Sequence, residues 1–179
     1  PYGPEKLDAS IYNAGARDHG AAQIFNTLIL DAHMGYTWAY GGGVNPVDQR
    51  SRAMYVQDGY AADLQNLAGG AAPHSQWVHL YINGLYWGTY DFSEQPNASF
   101  APNYFGGTSD DYDVYEQGAL KSGTSTAYTT MTGITDLANN ANYELMKQYL
   151  DIPEFADYTL LHFFVGAQDW GYDANKNWY

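Results

Sequence analysis

The clearest alternation in the chain runs from Trp77 to Phe92. Trp77, His79 and Tyr81 alternate with Val78, Leu80 and Ile82; Leu85, Trp87 and Thr89 then alternate with Tyr86 and Tyr90. Between the two runs stands Asn83-Gly84, whose residues both accept the positive φ of a tight two-residue turn, so the segment predicts a β-hairpin. Helical spacing appears on either side of it. Ser51–Leu67 predicts a helix with Ser51 as its N-cap, an inward-facing Ala/Met/Leu-rich side and a stop at Gly69-Gly70. Ser125–Leu137 and Asn142–Leu150 predict two more helices. Pro153–Val165 predicts a last one, with Pro153 suited to the first turn and Phe155, Tyr158, Leu161, His162 and Val165 near helical spacing. Gly41-Gly42-Gly43 before Asn45-Pro46 reads as a loop. The acidic run 91–116, with Asp91, Glu94, Asp110, Asp111, Asp113 and Glu116 and no Lys or Arg, reads as a solvated loop. Strands first and helices later predict an α+β fold.

Composition narrows the functional classes. The 179 residues suffice for one domain, and 45% of them are hydrophobic, so a core is within reach. Only 15% are charged, against roughly 25% in an average domain, while 5 Trp, 18 Tyr and 7 Phe argue against disorder. Seven Lys+Arg against 20 Asp+Glu leave a net charge of −13, which repels nucleic acid and anionic lipid. There is no cysteine, which removes disulfides, thiolate catalysis and Cys-ligated zinc. The most apolar stretch, Phe155–Ala167, is too short for membrane insertion.

Most familiar catalytic motifs are missing. Gly118–Thr126 lacks the Lys directly after its second Gly that a phosphate loop needs, since Lys121 lies inside it, and it reads as a turn. No Gly-x-Ser-x-Gly elbow exists, and His74 and His79 have no third zinc ligand nearby. His79 is expected to be packed and hydrogen-bonded within the aromatic strand. The end of the chain is richer: after an apolar helix come Asp169, Asp173, Asn175 and Asn177, hard oxygen ligands suited to Mg²⁺ or Ca²⁺. Asp173-x-Asn175-x-Asn177 imitates half a calcium loop, but Trp178 stands where that loop turns on Gly. The alternative is Asp169 as a base with a metal-holding Asn downstream, the logic of a kinase catalytic loop.

Taken together, Trp77-Val-His-Leu-Tyr-Ile-Asn-Gly-Leu-Tyr-Trp-Gly-Thr-Tyr-Asp-Phe-Ser-Glu94 resembles the hallmark segment of the CotH family of atypical, secreted or spore-coat protein kinases. Tyr104-Phe105-Gly106-Gly107 with Asp111-Tyr112-Asp113-Val114 resembles the segment that follows, and Asp169-Trp170…Asn177-Trp178 the family's catalytic loop. The helix around Arg52–Leu67 and Ala72-Pro73-His74 are similar as well.

The resemblance implies a protein-kinase-like fold, with 1–92 in a β-rich small lobe and 93–179 forming the hinge and helical lobe. It implies ATP with Mg²⁺ or Mn²⁺ as cofactors and γ-phosphoryl transfer to Ser/Thr of secreted or coat proteins. Asp169 corresponds to the catalytic Asp, Asn177 and then Asn175 to the metal-binding Asn, and Tyr90, Asp91, Phe92 and Glu94 to the nucleotide-binding stretch near the hinge. The interval from Asp169 to Asn177 is longer than the usual family spacing. The family's basic strand residue upstream and its Trp-Asp-x-Asp downstream are not in the sequence. The chain is therefore expected to be an interior piece of a longer protein and inactive alone. An extracellular or cell-surface bacterial setting follows from the same resemblance. The competing expectation is a non-catalytic structural or carbohydrate-binding module whose Tyr and Trp faces stack on polysaccharide. Asn97-Ala98-Ser99 is a glycosylation sequon only in a host that uses one.

Overall fold

The structure, a computed structural model, describes residues 12, 20–22, 24–33, 37–38, 53–116 and 118–167 and the backbone of 177–178. The chain forms two compact units, one of residues 1–67 and 71–95, the other of residues 68–70 and 96–179. The helices and strands described below make the fold α+β, as the pattern predicts.

In the first unit, strand β1 (Leu28–Asp31), helix α1 (Gln57–Leu67), strand β2 (Ser75–Ile82) and strand β3 (Leu85–Glu94) follow in order. The three strands form one antiparallel sheet with β3 in the middle. The hairpin is built as expected: Asn83 and Gly84 take φ of 50° and 79°. Its register is not uniform. Tyr81 pairs with Tyr86 but Leu80 pairs with Gly88, so Trp87 is an extra residue bulged out of β3. Gly88, at φ 143°, supplies the backbone that accommodates the bulge. Trp87 is left 62% exposed.

Helix α1 starts later than the pattern suggests. Tyr55 sits in the left-handed region at φ 61°, which a helix cannot contain, so the first turn forms only beyond Val56. Ser51, the expected cap, and the Gly41–Gly43 loop lie outside the described residues. No residue of α1 is fully buried, and Met54 and Leu67 are exposed, so the Ala/Met/Leu side does not make a sealed core. Gly69, at φ 96°, ends the helical run as expected. Strand β1, unannounced by any alternation, pairs Leu28 with Glu94 and Asp31 with Asp91.

In the second unit, helix α2 (Ala101–Phe105) leads through a short 3₁₀ turn at Ser109–Asp111 to strand β4 (Val114–Glu116). Strand β5 (Ala119–Ser122) follows, then helices α3 (Thr126–Gly133), α4 (Asn140–Met146) and α5 (Ile152–Phe164), and strand β6 (Asn177–Trp178). β4 lies between β5 and β6, all antiparallel. Phe100, Ala101, Val114, Tyr115 and Met146 are the buried apolar residues among those described in this unit, with Tyr115 stacked on Tyr128 of α3 at 4.3 Å. The Asp151 side chain caps α5 by accepting from Glu154 N at 3.0 Å, and Pro153 occupies its first turn. Gly166, at φ 65°, and the bond from Ala167 N to His162 O close its other end. The Gly118–Thr126 segment is partly strand, with Lys121 of β5 paired to Glu116 at 3.4 Å.

Candidate functional site: a carboxylate-floored cavity in the first unit

The acidic run was expected to be solvated throughout. Its first two carboxylates are instead buried, Asp91 to 7% exposure and Glu94 to 2%. Burying a carboxylate is costly unless partners meet it, and both partners here are histidines distant in sequence. Glu94 Oε2 accepts from His74 N at 2.8 Å and lies 2.8 Å from His74 Nδ1, while Glu94 N donates back to His74 O at 3.0 Å. His74 itself is 4% exposed. A ring nitrogen this close to a carboxylate oxygen is the protonated one, so Nδ1–H donates.

Asp91 is held differently. Its Oδ2 meets His33 Nε2 at 3.2 Å. The other nitrogen of His33 faces Asp58 of α1 at 3.9 Å, and His33 N donates to Asp31 Oδ1 at 2.8 Å. The imidazole thus stands between a buried and an exposed carboxylate, with its ring 5.3 Å from that of Trp77. Asp91 Oδ1 is buried with no hydrogen-bond partner among the described residues.

A cavity of about 460 Å³ opens beside it, walled by Tyr55, Gly59, Tyr60 and Asp63 on the α1 side, by Trp77 of β2, by Asp91 and by Tyr12. Gly59 permits the close approach of α1 to β2: a Cβ there would come within 3.0 Å of Ser75 Oγ. The Tyr12 hydroxyl is likewise buried without a partner among the described residues. Its ring packs on Phe25 at 5.5 Å and parallel to Phe92 at 6.3 Å. The Tyr12 pKa is driven above the ordinary tyrosine range, first by burial and then by the Glu94 and Asp91 carboxylates.

The sequence-derived site residues distribute as follows. Asp91 lines the cavity, Glu94 supports it through His74, and Phe92 supports it through Tyr12. Tyr90 stands opposite Val78 and is not part of the cavity wall. Asn177 opens β6 opposite Glu116. Asp169 and Asn175 lie outside the described residues. His79 corrects an expectation: it is exposed, not packed, although its Nδ1 does meet Tyr86 Oη at 3.2 Å. His33 and His74 are the residues that sequence reasoning missed. The hairpin register held a signal for His74, since folding at Asn83-Gly84 brings it to within one residue of Glu94; nothing local marks His33.

The cavity lining does not fit a nucleotide polyphosphate with a divalent metal. Among the described residues no Lys or Arg lines the cavity, and no group of three His, Asp or Glu side chains is disposed to hold a metal ion. The unpartnered atoms are a carboxylate oxygen and a phenol, which do not suit a triphosphate–metal complex.

Comparison with known proteins supplies what geometry alone does not. The profile described as CotH kinase protein matches residues 48–179, well over half of the chain. The chain belongs to the CotH kinase family. No curated protein and no solved structure matches it. Within the CotH match fall α1, the hairpin, the Asp91 and Glu94 carboxylates and Asp169. Membership brings a kinase-like function, for which ATP and a divalent metal are the general requirements. No helix among the described residues is long and apolar enough to cross a membrane.

Proposed function

We infer that this CotH-family chain belongs to a protein kinase that transfers the γ-phosphoryl of ATP to Ser/Thr hydroxyls of secreted or coat proteins, outside the cell. The observation that carries the reading is the family match across residues 48–179, which spans both the hairpin and Asp169. Asp169 is the residue assigned to accept the proton of the attacking hydroxyl, and Asn177 or Asn175 the one assigned to the metal. Tyr90, Asp91, Phe92 and Glu94 are assigned to the nucleotide side. The buried hydrogen bonds of Glu94 and Asp91 support a role in which the end of β3 presents rigidly held groups rather than a mobile loop.

A second reading, a polysaccharide-binding module on a kinase-like fold, is favoured by the hairpin end. There Tyr81, Tyr86 and Trp87 are all exposed, with the Tyr81 and Tyr86 rings 5.3 Å apart. One experiment separates the two. The full-length protein is incubated with labelled ATP, Mg²⁺ or Mn²⁺ and a Ser/Thr-containing acceptor, beside Asp169→Asn. The kinase reading expects metal-dependent transfer, reduced about 100-fold or more by Asp169→Asn with folding intact. No transfer, together with tryptophan quenching by polysaccharide, would replace the kinase reading with the second.

A further inference from the structure

The cavity beside Asp91 has a chemistry that a triphosphate–metal complex does not match. Two of its wall atoms, Asp91 Oδ1 and Tyr12 Oη, are buried and have no partner among the described residues. Their residues are 7% and 5% exposed, so ordinary surface hydration does not explain them. A buried acceptor left unpaired costs about 1–3 kcal/mol, and more when it is charged. A ligand that satisfies both atoms would remove that cost.

The nature of the ligand follows from the walls. An ionised carboxylate only accepts hydrogen bonds, so the group facing Asp91 Oδ1 must donate. A neutral hydroxyl would donate but bring no positive charge to a lining that holds Asp91, whose Oδ2 alone is met by His33, and Asp63, whereas a cation does both. Asp63 adds a second carboxylate to the lining, and no Lys or Arg is among the described lining residues. Tyr12, Tyr55, Tyr60 and Trp77 supply aromatic surface, the environment in which ammonium and guanidinium groups are attracted to ring faces. The Tyr12 titration is displaced upward by burial first, and the smaller contributions of Glu94 and Asp91 to it have the same negative sign as the lining. A divalent metal would need several more oxygen ligands than two carboxylates and a phenol provide. A volume of about 460 Å³ suits a small organic molecule or one long side chain.

The geometry points to a binding site for an organic cation, an alkylammonium or alkylguanidinium group on a short aliphatic chain, seated on Asp91 Oδ1 and Tyr12 Oη between the aromatic walls. This site lies wholly within the first unit and does not depend on the phosphotransferase reading; it stands whether or not Asp169 is active. Such a group reaches it either on a free small amine or on a Lys or Arg side chain of a peptide.

The test is calorimetric titration of the full-length protein with cadaverine and agmatine, with pentanediol as the neutral counterpart of cadaverine, and with inorganic phosphate. Saturable binding of a cation with a dissociation constant of about 1 mM or tighter is expected, with pentanediol at least about tenfold weaker and phosphate silent. Asp91→Asn should weaken the cation about tenfold or more. Asp63→Asn, a half-exposed helix position, should weaken it a few-fold with the fold unchanged by circular dichroism. A blocked Arg-containing tripeptide that binds more tightly than agmatine would assign the site to a peptide side chain; weaker binding would assign it to a free amine. The proposal is overturned if no cation saturates, or if pentanediol binds as tightly as cadaverine. Either result is read on the unmutated protein, so a variant that fails to fold does not shield it. Undiminished affinity in a folded Asp91→Asn would overturn it as well.

Discussion

Asp91 divides its two oxygens between a histidine and an empty-handed position, and Tyr12 faces the same interior without a partner. At this scale chemistry is set by desolvation. The Tyr12 pKa is displaced upward by burial and by the Glu94 and Asp91 carboxylates, and that of Tyr158 is pushed up to about 12 by burial. The folded state therefore holds these protons more tightly than the unfolded chain. Their contribution is complete below the ordinary tyrosine value of about 10 and is lost as pH rises through the folded-state values. Stability should fall on the alkaline side, with Tyr12→Phe and Tyr158→Phe each flattening the decline. Urea midpoints from about pH 8 to about pH 11 measure it, and an unchanged slope in both variants would contradict the assignment. At neutral pH, Tyr12→Phe removes a buried hydroxyl that bonds to nothing described, so it should cost less than about 1 kcal/mol or stabilise. Individual partners such as these were not legible beforehand. His33 and Asp91 are 58 positions apart, and only the folded sheet brings them together.

Among the elements, the hairpin was the most legible because its information is local: Asn83-Gly84 dictates the turn, and alternation dictates the strands. Gly84→Ala therefore isolates backbone conformation. Nothing lies within 4 Å of the new methyl, so the whole expected cost of about 1–2 kcal/mol comes from holding an L-residue at φ 79°. Thermal or urea denaturation would show it, and a neutral substitution would mean that the turn is not held as described. Elements governed by tertiary contacts were harder to foresee. β1 is a four-residue strand that exists because β3 offers it an edge. α1 is shortened by the positive φ of Tyr55, whose ring is committed to Trp38 at 5.0 Å and whose hydroxyl accepts from Trp38 N at 3.1 Å. Helical periodicity registers residue types; it does not register such a commitment. The cavity is of the same kind, since its floor comes from β3, one wall from α1 and another from Tyr12.

For the molecule as a whole, a net charge of −13 coexists with many exposed apolar side chains, including Leu85, Trp87, Phe163 and Phe164. Mutual repulsion keeps such surfaces apart only while the carboxylates are ionised. Solubility should therefore pass through a minimum as pH approaches 4.3, the sequence isoelectric point, and recover above it. Turbidity against pH checks this, and a protein equally soluble across that point would show that its apolar surface is covered. The bulge at Trp87 reaches further. Counted from the turn alone, Asp91 would face Gln76; the extra residue sets it against Trp77 instead. Drawing Trp87 back into the ladder, so that the two strands paired without an extra residue, would leave the hairpin able to form while turning each buried acid to the opposite face of the sheet. Along this stretch, then, a one-residue slip of register alters what the protein can bind before it alters what the protein looks like.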